Sequence, residues 1–203
     1  MADPLEKKTA EPPGGDSTSL TMIVPVYNEA ENIRNLLSEI ETRIAPPFKV
    51  LIVYDFDEDT TVPVIRELMA ARPWLRLVKN DLGRGVVNAL RAGFHAARHG
   101  PALVVMADLS DDLRNVQPML DLYRQGYRVI CPSRYMRGGR QIGGPFVKRS
   151  LSRLAGVSLH WLGFPTHDAT NNYRLYDAQL VNQLKIESSG GFEGGRSILV
   201  GNF

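Results

Sequence analysis

A single cysteine, Cys131, occurs in 203 residues. No disulfide can close within the chain and no thiolate cluster can hold a metal, which fits a reducing, cytoplasmic setting. No apolar run approaches the roughly 20 residues that a bilayer-crossing helix needs, so the chain is not expected to span a membrane by itself. Neither sign of charge dominates: 24 basic and 22 acidic residues give a formal net charge of +2. The two signs are interspersed up to about residue 124, a pattern without the basic field of a nucleic-acid-binding protein. Residues 1–19 have almost no apolar side chains among their Pro, Gly, Ser, Thr and mixed charges. They read as a disordered tail and not as a secretion signal. Glycine is missing from the first strand-to-helix turn, Val26-Tyr27-Asn28-Glu29, which excludes a dinucleotide fold because the pyrophosphate could not approach the backbone. Gly83-Arg84-Gly85 does not restore that fingerprint.

What remains is the periodicity of one α/β domain, a size the length allows. Buried-strand patterns run over 20–26, 49–54, 75–78, 102–106 and 127–131, the last holding Cys131. Helical patterns open at Asn28, with Leu36, Leu37 and Ile40 in step, and continue over 63–71, 83–98 and 113–125. Gly93 lies inside the third helical pattern, where glycine costs about 1 kcal/mol relative to alanine; its presence there hints at close packing. Alternating strands and helices imply an α/β fold with a mostly parallel central sheet and helices on both faces. Ligands of such sheets lie beyond the carboxyl ends of the strands, where 25–29, Asp55 and Asp108 all fall.

The run Val105-Met106-Ala107-Asp108-Leu109-Ser110-Asp111-Asp112 delivers acids to a strand end. Such a placement can hold a divalent cation against a bound phosphate, or the acids can cap the next helix. Asp55 can likewise accept hydrogen bonds from a base edge or cap the helix after it, and Tyr27 offers a ring and a hydroxyl to a ligand or simply packs.

Ile23-Val24-Pro25-Val26-Tyr27-Asn28-Glu29, Ile52-Val53-Tyr54-Asp55, Ala107-Asp108-Leu109-Ser110 and the 133–139 segment Ser-Arg-Tyr-Met-Arg-Gly-Gly resemble the family 2 glycosyltransferases of GT-A fold. The 168–176 segment Asp-Ala-Thr-Asn-Asn-Tyr-Arg-Leu-Tyr is similar to a stretch of the polyprenol-phosphate (dolichol-phosphate) mannosyltransferase-like branch. The resemblance implies a nucleotide-diphospho-sugar transferase fold with Pro25, Tyr27, Glu29, Val53, Asp55, Ala107 and Asp108 around the nucleotide sugar. It implies Mg2+ or Mn2+ on Asp108, with Ser110 beside it. Met106 stands where the family has a first acid, and Tyr54 where it has one of an acidic pair; a thioether is a poor partner for a hard cation. Arg134 is implied near the departing phosphates, and Lys148 and Arg149 near the acceptor phosphate.

The activity so implied is inverting transfer of a hexose, mannose or glucose, from GDP-mannose or UDP-glucose to a polyprenyl phosphate. The alternatives are a family 2 transferase with another acceptor and a non-catalytic or partner-dependent nucleotide-sugar binding protein. Lys148, Arg149 and Arg153 flank the amphipathic stretch 151–162, which suits peripheral contact at the cytoplasmic face of a membrane or an ordinary core-facing helix. Arg174, with Asp168 and Asn171, is expected in a rigid polar turn. Gly194-Gly195-Arg196-Ser197 breaks the pattern that the family continues. The chain therefore divides into a tail over 1–19, a catalytic domain over 20–193 and an atypical, truncated-looking end over 194–203.

Overall fold

A computed structural model describes residues 19–132 and 172–184. The expectations for 1–18, Arg134, Lys148, Arg149, 151–162, Asp168, Asn171 and 194–203 fall outside the described residues.

Strand β1, Leu20–Pro25, is buried at all six positions, as expected of a strand covered on both faces. Helix α1, Ala30–Arg43, follows it, then β2, Phe48–Tyr54, α2, Thr61–Met69, β3, Leu75–Lys79, and α3, Val86–Ala97. Next come β4, Pro101–Val104, a 3-10 turn, Leu113–Asn115, running into α4, Val116–Arg124, and a short β5, Val129–Ile130. Strand β6, Arg174–Asp177, and α5, Ala178–Gln183, complete the described chain.

The sheet order is β3-β2-β1-β4-β6-β5. β1 pairs in parallel with β2 and β4, and β2 with β3. β6 pairs antiparallel with both β4 and β5, so it alone runs against the other five strands. The mostly parallel sheet is thus as expected, but β6 replaces the polar turn expected around Arg174. Its four residues, Arg-Leu-Tyr-Asp, bury only Leu175 and Asp177, too short and too polar to announce a strand. The strand pattern over 127–131 also shrinks to two residues, leaving Cys131 half-buried just beyond β5.

Side chains alternate along each strand between two apolar layers. Met22, Val24, Val50, Ile52 and Leu103 pack with Ile33, Leu37, Ile65, Val116 and Met119 from α1, α2 and α4. Ile23, Leu51, Val53 and Val104 pack with Ala89 and Phe94 of α3 and with Ala178 and Val181 of α5. Both faces are therefore covered, and ligands have access at the strand ends.

Asp177 locks β6 in place. Buried to 7% exposure, it accepts hydrogen bonds from the Tyr123 hydroxyl at 2.8 Å, Arg128 Nη1 at 3.1 Å and the Leu180 backbone N–H at 3.0 Å, the last capping α5. Asp177→Ala strands the buried Tyr123 hydroxyl, leaves the half-buried Arg128 without its carboxylate and removes the cap, an expected loss of about 2–3 kcal/mol by denaturant titration. Burial, with the Asp177 carboxylate beside it, pushes the Tyr123 hydroxyl up from 10.0 to about 12. Because the folded state favours the neutral phenol, this contribution is complete below pH 10.0 and is lost as pH rises through about 12. A stability profile across that alkaline window checks it.

Candidate active site

The strand order makes β1 a turning point: the chain steps from β1 to β2 in one direction and reaches β4 on the other side. The crevice beyond the carboxyl ends at such a point is where open α/β sheets bind ligands. The segments after β1 and β4 border it, and those after β2 and β3 extend its rim.

Pro25, the last residue of β1, and Val26 after it are buried, while Tyr27 is 70% exposed. Asn28 adopts φ 56°, a left-handed conformation asparagine tolerates better than most residues. Its turn is tied to the segment after β2: the Asn28 N–H donates to Asp59 Oδ2 at 3.0 Å, and Asn28 Oδ1 accepts from the Thr60 N–H at 3.1 Å. The Glu29 N–H donates to Thr61 Oγ1 at 2.8 Å, and Glu29 Oε2 accepts from Asn32 Nδ2. Asp59 is wholly buried and also accepts from the Thr61 N–H. These bonds hold Tyr27 at the mouth of the crevice.

Val53 is fully buried in the layer beneath α3, and its carbonyl accepts from the Val26 N–H at 2.9 Å. It borders the crevice through its backbone alone. Asp55 does not cap α2; its Oδ1 accepts from Asn80 Nδ2 and its Oδ2 from the Gly85 N–H, both at 2.7 Å. Asn80 Nδ2 also donates to the Gly83 carbonyl, and Asn80 Oδ1 accepts from the Leu82 N–H. The loop over 80–85 is thereby fixed against the end of β2. An ionised carboxylate has about four acceptor positions, so Asp55 keeps capacity for a ligand while holding this loop.

The acids after β4 separate into distinct jobs. Asp111 Oδ2 accepts from the Met106 N–H at 2.7 Å, folding the turn back on the strand end. Asp112 accepts from the Arg114 backbone N–H at 3.1 Å, capping the 3-10 turn, and from Arg114 Nε and Nη2. The Arg114 guanidinium holds the Asp112 carboxyl below the usual carboxylate range. The Tyr173 hydroxyl, pushed up by burial and by the charges of Asp111 and Asp112, donates to the Asp112 carbonyl at 3.1 Å. Asp108 is exposed; its Oδ1 accepts from the Ser110 N–H at 3.0 Å. Between them Leu109 takes φ 60°, an unusual conformation for leucine that turns the chain sharply at the crevice. Ala107 is buried under the turn. An open cleft of about 470 Å3 runs from Met106 and Leu109 along Leu36, Glu39 and Arg43 of α1.

Among the described residues no group of three or more His, Cys, Asp or Glu side chains could hold a metal ion. The donor set fits a hard cation held by one carboxylate, Asp108, and completed by substrate phosphates, as Mg2+ sites commonly are. It does not form a closed protein cage. Asp59, Asn80, Phe56 and Arg84 went unnoticed in the sequence as parts of this edge. The glycines at 83 and 85, both at positive φ, were the available signal for a built loop.

No helix among the described residues is long and apolar enough to cross a membrane. The model of glycosyl transferase family 2 matches residues 21–185. Polyprenol monophosphomannose synthase of Mycolicibacterium smegmatis is 28% identical over 172 residues, covering 82% of this chain and 64% of that protein. Dolichol-phosphate mannosyltransferase of Pyrococcus furiosus is 26% identical over 135 residues, 66% of this chain and 38% of its own length. The chain thus spans only part of the curated relatives it matches. Among solved structures, mannosyl-3-phosphoglycerate synthase from Rubrobacter xylanophilus superposes with a TM-score of 0.58 at 20% identity, over 80% of this chain and 54% of the other. That likeness shows the GT-A fold. A match over residues 21–185, which span β1 through β6 and the strand ends that build the crevice, decides the question of kinship: the chain belongs to glycosyl transferase family 2.

Proposed function

We propose that residues 20–193 form a catalytic domain that transfers a hexose, mannose or glucose, from a nucleotide diphosphate sugar to a polyprenyl phosphate with inversion at the anomeric carbon. The observation that carries this reading is the exposed Asp108 carboxylate at the end of β4, across the turning point of the sheet from the exposed Tyr27. The relatives named for dolichol-phosphate and polyprenol-phosphate chemistry support the lipid acceptor.

The nucleotide lies along the ends of β1 and β2, against Pro25, Tyr27, Glu29, the backbone of Val53 and Asp55. The diphosphate points to Ala107 and Asp108. Asp108, with Ser110 beside it, would hold Mg2+ or Mn2+, which would supply positive charge to neutralise the departing diphosphate. An acceptor phosphate oxygen attacks the anomeric carbon, the bond from that carbon to the diphosphate oxygen breaks, and the nucleoside diphosphate leaves with the bonding pair. A phosphate is already anionic at neutral pH, so positioning replaces a strong general base. Arg134 stabilises the leaving group, Lys148 and Arg149 seat the acceptor phosphate, and the basic stretch meets the cytoplasmic face of a membrane peripherally.

Met106 favours a second reading, a nucleotide-sugar binding protein without turnover, because the thioether stands where a second hard ligand would strengthen cation binding. Calorimetric titration with GDP-mannose and UDP-glucose, each with and without Mn2+, followed by a radiolabel transfer assay with polyprenyl phosphate, separates the readings. Binding with transfer supports the enzyme, binding without transfer supports the second reading, and absence of binding removes both.

A further inference from the structure

Phe56 is an aromatic side chain that the core does not use. It belongs to neither apolar layer and is half-buried immediately after Asp55. Its turn is fixed, since the Asp59 N–H donates to the Phe56 carbonyl at 3.2 Å and Asp59 is bonded into the β1 loop. The Tyr27 ring meets the Phe56 ring edge-on, centroids 5.5 Å apart at 65°. The Arg84 guanidinium sits over the Phe56 ring, 5.0 Å from its centroid. Arg84 is exposed, although its backbone is held by the bonds of Asp55 and Asn80 to the flanking glycines.

We propose that the Phe56 ring is a stacking surface for the base of the donor nucleotide, a face that the Arg84 guanidinium covers in the free protein. This rests on the donor-binding reading above and adds a residue to it. A flat, planar group already selects this face, and a nucleobase offers the ring a larger planar surface than a guanidinium does. Stacking of a base outweighs an exposed cation–π contact, so exchange is favourable. Charge selects the same class of ligand: Asp55, Asp57, Glu58 and Asp59 surround the turn in sequence, which disfavours a phosphate there but not a neutral heterocycle. The Tyr27 ring forms the adjoining wall of the corner, and the diphosphate is directed away toward β4.

The test is titration of GDP, UDP and guanosine into the 203-residue chain and its Phe56→Leu, Phe56→Tyr and Arg84→Ala variants, with thermal melting as the fold control. Leucine keeps the bulk but not the π-face, so Phe56→Leu is expected to weaken GDP binding about tenfold, the scale of one stacked base. Phe56→Tyr is expected to bind like the parent. Arg84→Ala, which uncovers the ring, is expected to strengthen guanosine binding about two- to fivefold. Equal GDP affinity in parent and Phe56→Leu, or weakened guanosine binding by Arg84→Ala, overturns the proposal while leaving donor binding intact. A parent chain that binds neither nucleotide overturns the donor-binding reading itself, and the stacking role with it.

Discussion

Gly93→Val is expected to destabilise the protein by about 3 kcal/mol, near the upper end of ordinary overpacking costs. A Cβ at this position would lie 2.4 Å from Ile23 Cγ2 and 3.3 Å from Val53 Cγ2, the first distance well inside van der Waals contact. Ile23 and Val53 are both fully buried in parallel strands of the central sheet. Neither can retreat without moving the backbone of β1 or β2. An alanine at 93 regains about 1 kcal/mol of helix propensity against that clash, so Gly93→Ala is milder; valine adds two further methyls and regains less. For a chain of this size the valine variant should melt roughly 6–12 °C lower. Ile23→Ala in the valine background should recover part of the loss, because the severest overlap, at 2.4 Å, is with that side chain. A valine variant that melts like the parent would show that α3 is not seated on β1 as described. The effect should extend to the crevice, since the Ile23 carbonyl accepts from the Val105 N–H at 3.0 Å at the root of the Asp108 turn.

That glycine also marks how far the sequence could be read. A helix-weakening residue in the middle of a helical pattern pointed to close packing, and the contact is there. The strands over 20–25, 48–54 and 101–104 were legible because burial on both faces imposes apolar runs, and the edge strand over 75–79, of which only Leu75 is buried, from its β-prone residues at the expected spacing. β6 was not, since its residues are held by one hydrogen-bonded hub at Asp177 and by strand pairing across more than 70 residues of sequence, from Pro101 to Asp177. At the site, the positions of Tyr27, Asp55 and Asp108 followed from three strand ends. Their partners did not. That Asp55 faces Asn80 and Gly85, that Asp59 anchors the β1 loop, and that Arg84 covers Phe56 are contacts between neighbouring strand ends. Only the lateral order of strands creates them, and local periodicity carries no record of that order. The acidic run after β4 left capping and cation binding both open. The structure divides it, with Asp112 capping, Asp111 folding the turn back onto Met106, and Asp108 exposed.

Asp108→Asn should therefore abolish the dependence of donor binding on Mn2+ and lower kcat by roughly 10²–10³-fold, the scale of losing one preorganised electrostatic contact. The substitution changes charge and little else. The asparagine Oδ1 can still accept the Ser110 N–H that Asp108 holds at 3.0 Å, so the turn and the melting temperature should be preserved. Among the described residues, the neighbouring side chains on this turn are already committed or unsuited. Asp111 is bonded to the Met106 backbone, Asp112 is engaged by the Arg114 backbone and guanidinium, and the thioether of Met106 is too soft for a hard cation. The reciprocal change, Met106→Asp, adds a second hard oxygen donor on the same turn and should tighten Mn2+-supported donor binding. Calorimetry with and without Mn2+ on the two variants checks both directions. A parent-like Mn2+ response in Asp108→Asn would mean that the cation is held elsewhere, and the charge on the departing diphosphate would then have to be met from outside the β4 turn.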